Sequence, residues 1–321
     1  MDWFGGEVNG PLIAIRAVHF AAAAVTTGSL IFRAVVAKPA WGSEPVAAKL
    51  LRTQTLHVAE TALAVTVVSG VLWLLSEAVS MSGLPLDEAM TPRVLWTVLN
   101  KTQFGLVSEI RLMLSIVLAV SLALDRLPLA EWLALPAALG LVATIAWTGH
   151  AGATPGGLGS LHLAADVLHL LAGAAWIGGL LPLALLLAAA RRHQGTAWAA
   201  VARNAAARFS PLGIGSVITL LASGIVNARI LVGSFHALFV TEYGQLLLFK
   251  LAVVAVMLVF AAVNRLWLTP RLACLPGHPT RLEALGQLTR NSLVEIALGF
   301  LVFAIVGMLG TLHPAIHLVK G

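Results

Sequence analysis

The feature that most constrains this chain of 321 residues is a series of long apolar blocks. Each is about 20 residues or more, the length that carries a helix across a ~30 Å hydrocarbon core. We place eight of them, near residues 11–37, 53–76, 104–124, 130–149, 160–189, 210–233, 244–267 and 292–313. All are too long for strands and lack the two-residue alternation of a membrane barrel. Helices are the remaining way to satisfy backbone N–H and C=O groups in lipid. Composition agrees, with 59% hydrophobic and 11% charged residues and a mean hydropathy of +0.92. Soluble domains average roughly 45–50% and about 25%. A cytosolic globular enzyme is therefore excluded. The expected fold class is all-α, a polytopic helix bundle of eight transmembrane helices in the lipid bilayer.

The net charge is +6. In a soluble protein that balance points to nucleic acid; here the positive-inside bias accounts for it, and no nucleic-acid partner is expected. Arg33, Lys38, Lys49 and Arg52 follow helix 1. Arg191, Arg192, Arg203 and Arg208 follow helix 5, and Arg265, Arg271, Arg281 and Arg290 follow helix 7. The 4–5 loop, HAGATPGGLGS, has no Lys or Arg. This asymmetry predicts a multi-pass bacterial inner-membrane protein with both termini periplasmic. The opening MDWFGGEVNG lacks the positive charge of a signal peptide, so the first block reads as a retained helix. Segment 196–209 reads as an interfacial amphipathic helix on the cytoplasmic side. A single cysteine, Cys274, excludes an intramolecular disulfide, thiolate metal clusters and CxxC redox chemistry.

An internal repeat is visible. VHFAAAAVTTGSL around His19 lies over LHLLAGAAWIGGL around His169, matching Gly28 to Gly178. In the same order SGVL at 69–72 lies over SGIV at 223–226, TQFG at 102–105 over TEYG at 241–244, and Arg111 over Lys250. Four helices per half give both halves the same orientation, so the reading is two parallel four-helix repeats, residues 1–155 and 156–321.

Ionisable residues inside spans are costly and mark function by default. His19 and His169 lie about eight residues below the outer ends of their helices, roughly 12 Å deep. Asp166 is one turn outward of His169 on the same face, and His162 is two turns away. His150 and His313 stand at outer helix ends. Imidazole suits Cu, Zn, Fe and Ni, so His19, His150, Asp166 and His169 are candidate metal ligands, with His162, His57, Glu60 and His313 weaker ones. Each His equally suits a hydrogen-bonded strut between helices. Glu60 and Glu295 lie in the inner half, as an exit or proton route or as packing; Arg111 and Lys250 either pair with carboxylates or snorkel. There is no Walker motif, nucleophile elbow or HExxH sequence.

DVLHLLAGAAWIGGLLPL, RFSPLGIGSVITLLASGIVNARILVGS and TEYGQLLLFKLAVVAVMLVFAAVNRLWLTPRL resemble the CopD/PcoD family of bacterial copper-resistance membrane proteins. TGHAGA and NKTQFGLVSEIRL fit the same pattern. The resemblance spans nearly the whole chain and implies a copper importer, not an enzyme, whose cargo is a copper ion. It also implies a periplasmic copper carrier of the CopC type, acting in trans here. His19, His150, Asp166 and His169 are the positions carried over; the scarcity of Met departs from a thioether-rich Cu(I) channel. The helix pattern is also similar to the HemJ-type haem proteins, making a haem-binding redox protein the alternative, with His19, His57 and His169 as axial-ligand candidates. A membrane copper chaperone or sensor is a third reading. On the copper reading, the ion passes from His150 or His162 to His19, His169 and Asp166, and uptake falls as pH drops below about 6.5.

Overall fold

The computed structural model describes residues 10–41, 45–193, 195–274 and 278–318. The acidic N-terminal stretch before Gly10 and the C-terminal tail after 318 lie outside them. Eight helices are long and apolar enough to cross a membrane: α1 Gly10–Ala40, α2 Ala47–Ser82, α3 Gln103–Ala123, α4 Pro128–Thr148, α5 Gly156–His193, α6 Thr196–Val232, α7 Glu242–Arg271 and α8 Pro279–Leu309. No strand occurs among the described residues.

The helices run past the apolar blocks at the end carrying most Arg and Lys, because helix propensity does not stop where hydropathy does. The Ala-rich stretch TAWAAVARNAAARF is an example: Ala and Arg are strong helix formers. It is therefore not a separate interfacial helix but the first turns of α6, with Trp198, Val201, Ala202 and Ala205 buried against the bundle.

Burial sorts the helices. The apolar windows of α1 and α5 are 83% and 72% buried, those of α6 and α7 only 17% and 11%. So α1 and α5 form the centre. α1 packs on α2, α4, α5 and α8; α5 packs on α6, α8, α1 and α4. The two central helices meet backbone to backbone. A methyl group on Gly28 would strike the Ala174 carbonyl and Gly178, and one on Gly178 would strike the Ala24 carbonyl. Ala24 and Gly28, like Ala174 and Gly178, are small residues four apart, the spacing that lets membrane helices approach closely. α5 widens into a π-type turn at this contact, Ala174–Gly178.

Helices α3 and α7 start alike. The Thr102 hydroxyl accepts from the Gly105 N–H at 2.9 Å, and the Thr241 hydroxyl from Gly244 at 3.0 Å. These are side-chain N-caps. Carbonyls of the preceding short helices press on both glycines and leave no room for a Cβ. At the basic end, Arg52 Nε donates to Asp125 at 2.8 Å, Arg33 lies 3.4 Å from the same carboxylate, and Lys38 pairs with Glu131. These pairs tie α1 and α2 to the α3–α4 turn.

Overpacking a tight seam costs about 1–3 kcal/mol. Gly28→Ala should lower the melting temperature in detergent by several degrees. Gly215→Ala, whose added Cβ meets nothing, should leave it unchanged or raise it slightly.

Candidate metal-binding site

Asp166 and His169 project from α5 toward α6 and α7. Helix α6 contributes Ser223, Gly224 and Asn227, and α7 contributes Lys250. His169 Nδ1 lies 3.0 Å from the Ser223 hydroxyl, whose own hydrogen goes to the Thr219 carbonyl at 2.6 Å. With that hydrogen committed the hydroxyl accepts from the ring, so the ring proton sits on Nδ1 and Nε2 carries the lone pair. Lys250 Nζ donates to that lone pair at 3.5 Å. Asn227 Nδ2 donates to the Asp166 carboxylate at 3.2 Å, and Asp166 is within electrostatic reach of Lys250. Gly224 faces the imidazole edge, where a Cβ would lie 3.4 Å from His169 Cε1. All four polar side chains are half-buried. The pocket therefore offers a ligand nitrogen, a carboxylate, an amide and one cation.

His19 is held in the same manner between α1 and α2. Its Nδ1 is 3.1 Å from both the Thr66 carbonyl and the Ser69 hydroxyl, and its Nε2 is buried with no partner. A Cβ on Gly70 would lie 3.3 Å from His19 Cε1. The surroundings differ in charge. Trp73 packs edge-on against His19 and lies near two buried guanidiniums, Arg16 at 5.1 Å and Arg111 at 5.2 Å from its ring. Both are in cation–π range. Its indole N–H goes to Glu77 at 3.1 Å. Neither arginine forms an ion pair among the described residues, and Arg111 reaches only Thr144, at 3.4 Å and longer. Arg16 does not pair with Asp166.

Among the described residues, no three His, Cys, Asp or Glu side chains come together as a group able to hold a metal ion. His19, His150, Asp166 and His169 are thus distributed over three places. His150 Nε2 donates to the Leu309 carbonyl at 3.2 Å, close to the end of α8, with the Tyr243 ring 6.1 Å away. His162 is fully buried and bonds the Thr154 hydroxyl at 2.8 Å, closing the α4–α5 loop. His313 is exposed at the same end, and His57 and Glu60 are exposed toward the basic end.

Glu295 forms a second polar level. It is buried, accepts from Asn264 Nδ2 at 2.7 Å and bonds the Trp176 indole; Asn291 donates to Asn264 at 2.8 Å. This level borders a cavity of about 260 Å³ between α5, α6, α7 and α8.

Ser69, Ser223, Trp73, Asn227 and Asn264 were not singled out by the sequence. The repeated Ser-Gly pairs at 69–70 and 223–224 carried the signal for two of them: each serine bonds the histidine and each glycine admits it.

His150 lies outside the membrane-spanning helices. Burial holds its imidazole below the ordinary value of 6.5; the nearby charges of Arg16, His313 and His317 add to this, and the bond to Leu309 opposes it. The unfolded chain then takes up this proton first, so the stability contribution is lost as pH falls below about 6.5. Melting temperatures between pH 7.5 and 5 should fall less in His150→Gln than in the unmodified protein.

Comparison with known families agrees with the sequence reading. Residues 7–161 match the copper resistance protein D-like N-terminal domain, and residues 203–309 match copper resistance protein D. The chain is 30% identical to inner membrane protein YebZ of Escherichia coli, over 94% of this chain and 98% of that protein. It is 30% identical to copper resistance protein D of Pseudomonas syringae, over 67% of this chain and 70% of that protein. It is 35% identical to copper transport protein CutJ of Bacillus subtilis, over 39% of this chain and 22% of that protein. No solved structure matches at a significant level. Two matching domain models in order, together with a relative aligned over nearly its whole length, place this eight-helix chain in the copper resistance protein D family.

Proposed function

We propose that this protein handles copper in a bacterial inner membrane and moves it from the periplasm toward the cytoplasm without acting as an enzyme. The observation that carries the reading is the Asp166–His169 pocket, a lone-pair imidazole nitrogen beside a carboxylate in a family named for copper. Nitrogen and oxygen donors of this kind accept copper in either oxidation state. His169 and Asp166 are the central ligands. His19 presents the equivalent nitrogen, but faces two arginines, and the nearby carboxylate, Glu77, is held by the Trp73 indole.

His150 uses Nε2–H toward Leu309 and so keeps Nδ1 as a lone pair at the outer surface, where it receives the ion. His162, bonded to Thr154, fixes the loop that positions His150. A periplasmic carrier of the CopC type supplies the copper. Both termini are periplasmic on this reading, and the Arg-rich end faces the cytoplasm. The halves, residues 1–155 and 156–321, are parallel repeats. The matched Thr caps of α3 and α7 and the matched His–Ser contacts support that reading.

Purified protein exposed to copper and desalted should retain about one copper per chain and no iron. His169→Ala should lose it. Copper retained in the His19→Ala, His169→Ala double variant would overturn the site, and iron with a Soret band would overturn the cargo. Periplasmic reporter fusions at both termini should be active; an active reporter in the α5–α6 turn would reverse the orientation.

A further inference from the structure

The two histidine pockets can be compared position by position. Three residues outward of His169 stands Asp166; three outward of His19 stands Arg16. Four residues beyond Ser223 stands Asn227, and four beyond Ser69 stands Trp73. Lys250 of α7 occupies the place of Arg111 of α3. Equivalent contacts thus carry different chemistry: Asn227 bonds Asp166, whereas Trp73 packs on Arg16. One pocket holds a carboxylate and an ammonium. The other holds two guanidiniums with no carboxylate in ion-pair contact.

In the second pocket the ammonium occupies the metal's place. Lys250 Nζ donates to the Nε2 lone pair of His169, the atom a soft cation would use, and balances Asp166. A lone pair cannot serve an N–H donor and a metal together. Resting on the copper reading above, we propose that the Lys250 ammonium is a tethered stand-in for the cargo, which copper displaces on binding and which displaces copper on release. Exchange of one monovalent cation for another leaves the pocket's net charge unchanged, so Cu(I) is the favoured form. The four-carbon stem lets the ammonium swing outward along α7 toward the interface, as lysines near membrane surfaces do. The first pocket cannot work this way: removing Arg111 still leaves Arg16, and the nearby carboxylate, Glu77, is committed to the Trp73 indole and to Arg16.

The test is an anaerobic titration of the full-length protein in detergent with Cu(I), against a chromophoric chelator. Lys250→Met should bind at least tenfold more tightly than the unmodified protein and release copper to the chelator more slowly. Lys250→Arg, which keeps the charge, should stay within about threefold. Lys250→Gln is the second neutral variant should the Met variant not fold, and should also bind more tightly. Arg111→Met should leave Cu(I) affinity unchanged. Tightened binding is an effect that structural damage does not produce. Unchanged or weaker binding in both neutral variants, with binding still lost in His169→Ala, overturns the exchange role and leaves the site standing. Unaltered binding in His169→Ala overturns the site reading itself, and the exchange role with it.

Discussion

The rest of this molecule depends on one backbone contact, the crossing of α1 and α5 through Ala24, Gly28, Ala174 and Gly178. In lipid there is no hydrophobic force to drive one apolar helix onto another, so close packing must supply the attraction. Small residues four apart bring the two backbones together, and the widened turn of α5 accommodates the approach. The seam makes α1 and α5 the buried pair and leaves α2 and α6 to close over them. It also sets the depth of the chemistry. His19 and His169 each lie nine residues before their seam glycine, about 13 Å along the helix at 1.5 Å per residue.

From that shared placement the two pockets diverge through charge. Outside water, the identity of a single neighbouring group decides whether a cation is welcome, because interactions are weakly screened. Around His19 the chain uses Arg16 and Arg111, both near the Trp73 ring, and seals the imidazole completely. Around His169 it uses Asp166, Asn227 and Lys250 and leaves the group half-buried. The first arrangement is built for rigidity: edge-to-face aromatic packing and cation–π contact stabilise a closed position. The second has donors and acceptors that can be exchanged. Similar His–Ser–Gly contacts thus surround a sealed histidine at position 19 and a half-buried one at position 169.

Helix α5 links the His169 pocket to a second polar level nearer the basic end. Asp166, His169 and Trp176 recur at helical spacing on one stripe, and Trp176 reaches Glu295, about 10 Å inward of His169. The polar side chains therefore occur at two depths with an apolar interval between them. The second level is held by amides from α7 and α8 and lies beside the cavity between α5, α6, α7 and α8, so its carboxyl is anchored by neutral donors.

What the sequence determined by itself is whatever lipid imposes locally. Eight apolar blocks force eight helices, since the backbone has no other way to satisfy itself there. The order of Thr-x-x-Gly caps and Ser-Gly pairs was legible because each has a local cause: a hydroxyl capping a helix start, and a missing side chain that admits a histidine. The helix ends at the basic side are not legible in hydropathy, which falls there while Ala and Arg continue the helix, as through residues 196–209. Only the tertiary structure decided which polar residues meet. Lys250 is 81 residues from His169 and Asn227 is 61 from Asp166, and no spacing rule reaches that far. Nor does it distribute His19, His150 and His169 among separate neighbours. Periodicity says which face of a helix is polar; the Gly28–Gly178 seam fixes which faces turn toward each other, and with them whether a histidine meets a lysine or an arginine from a distant helix.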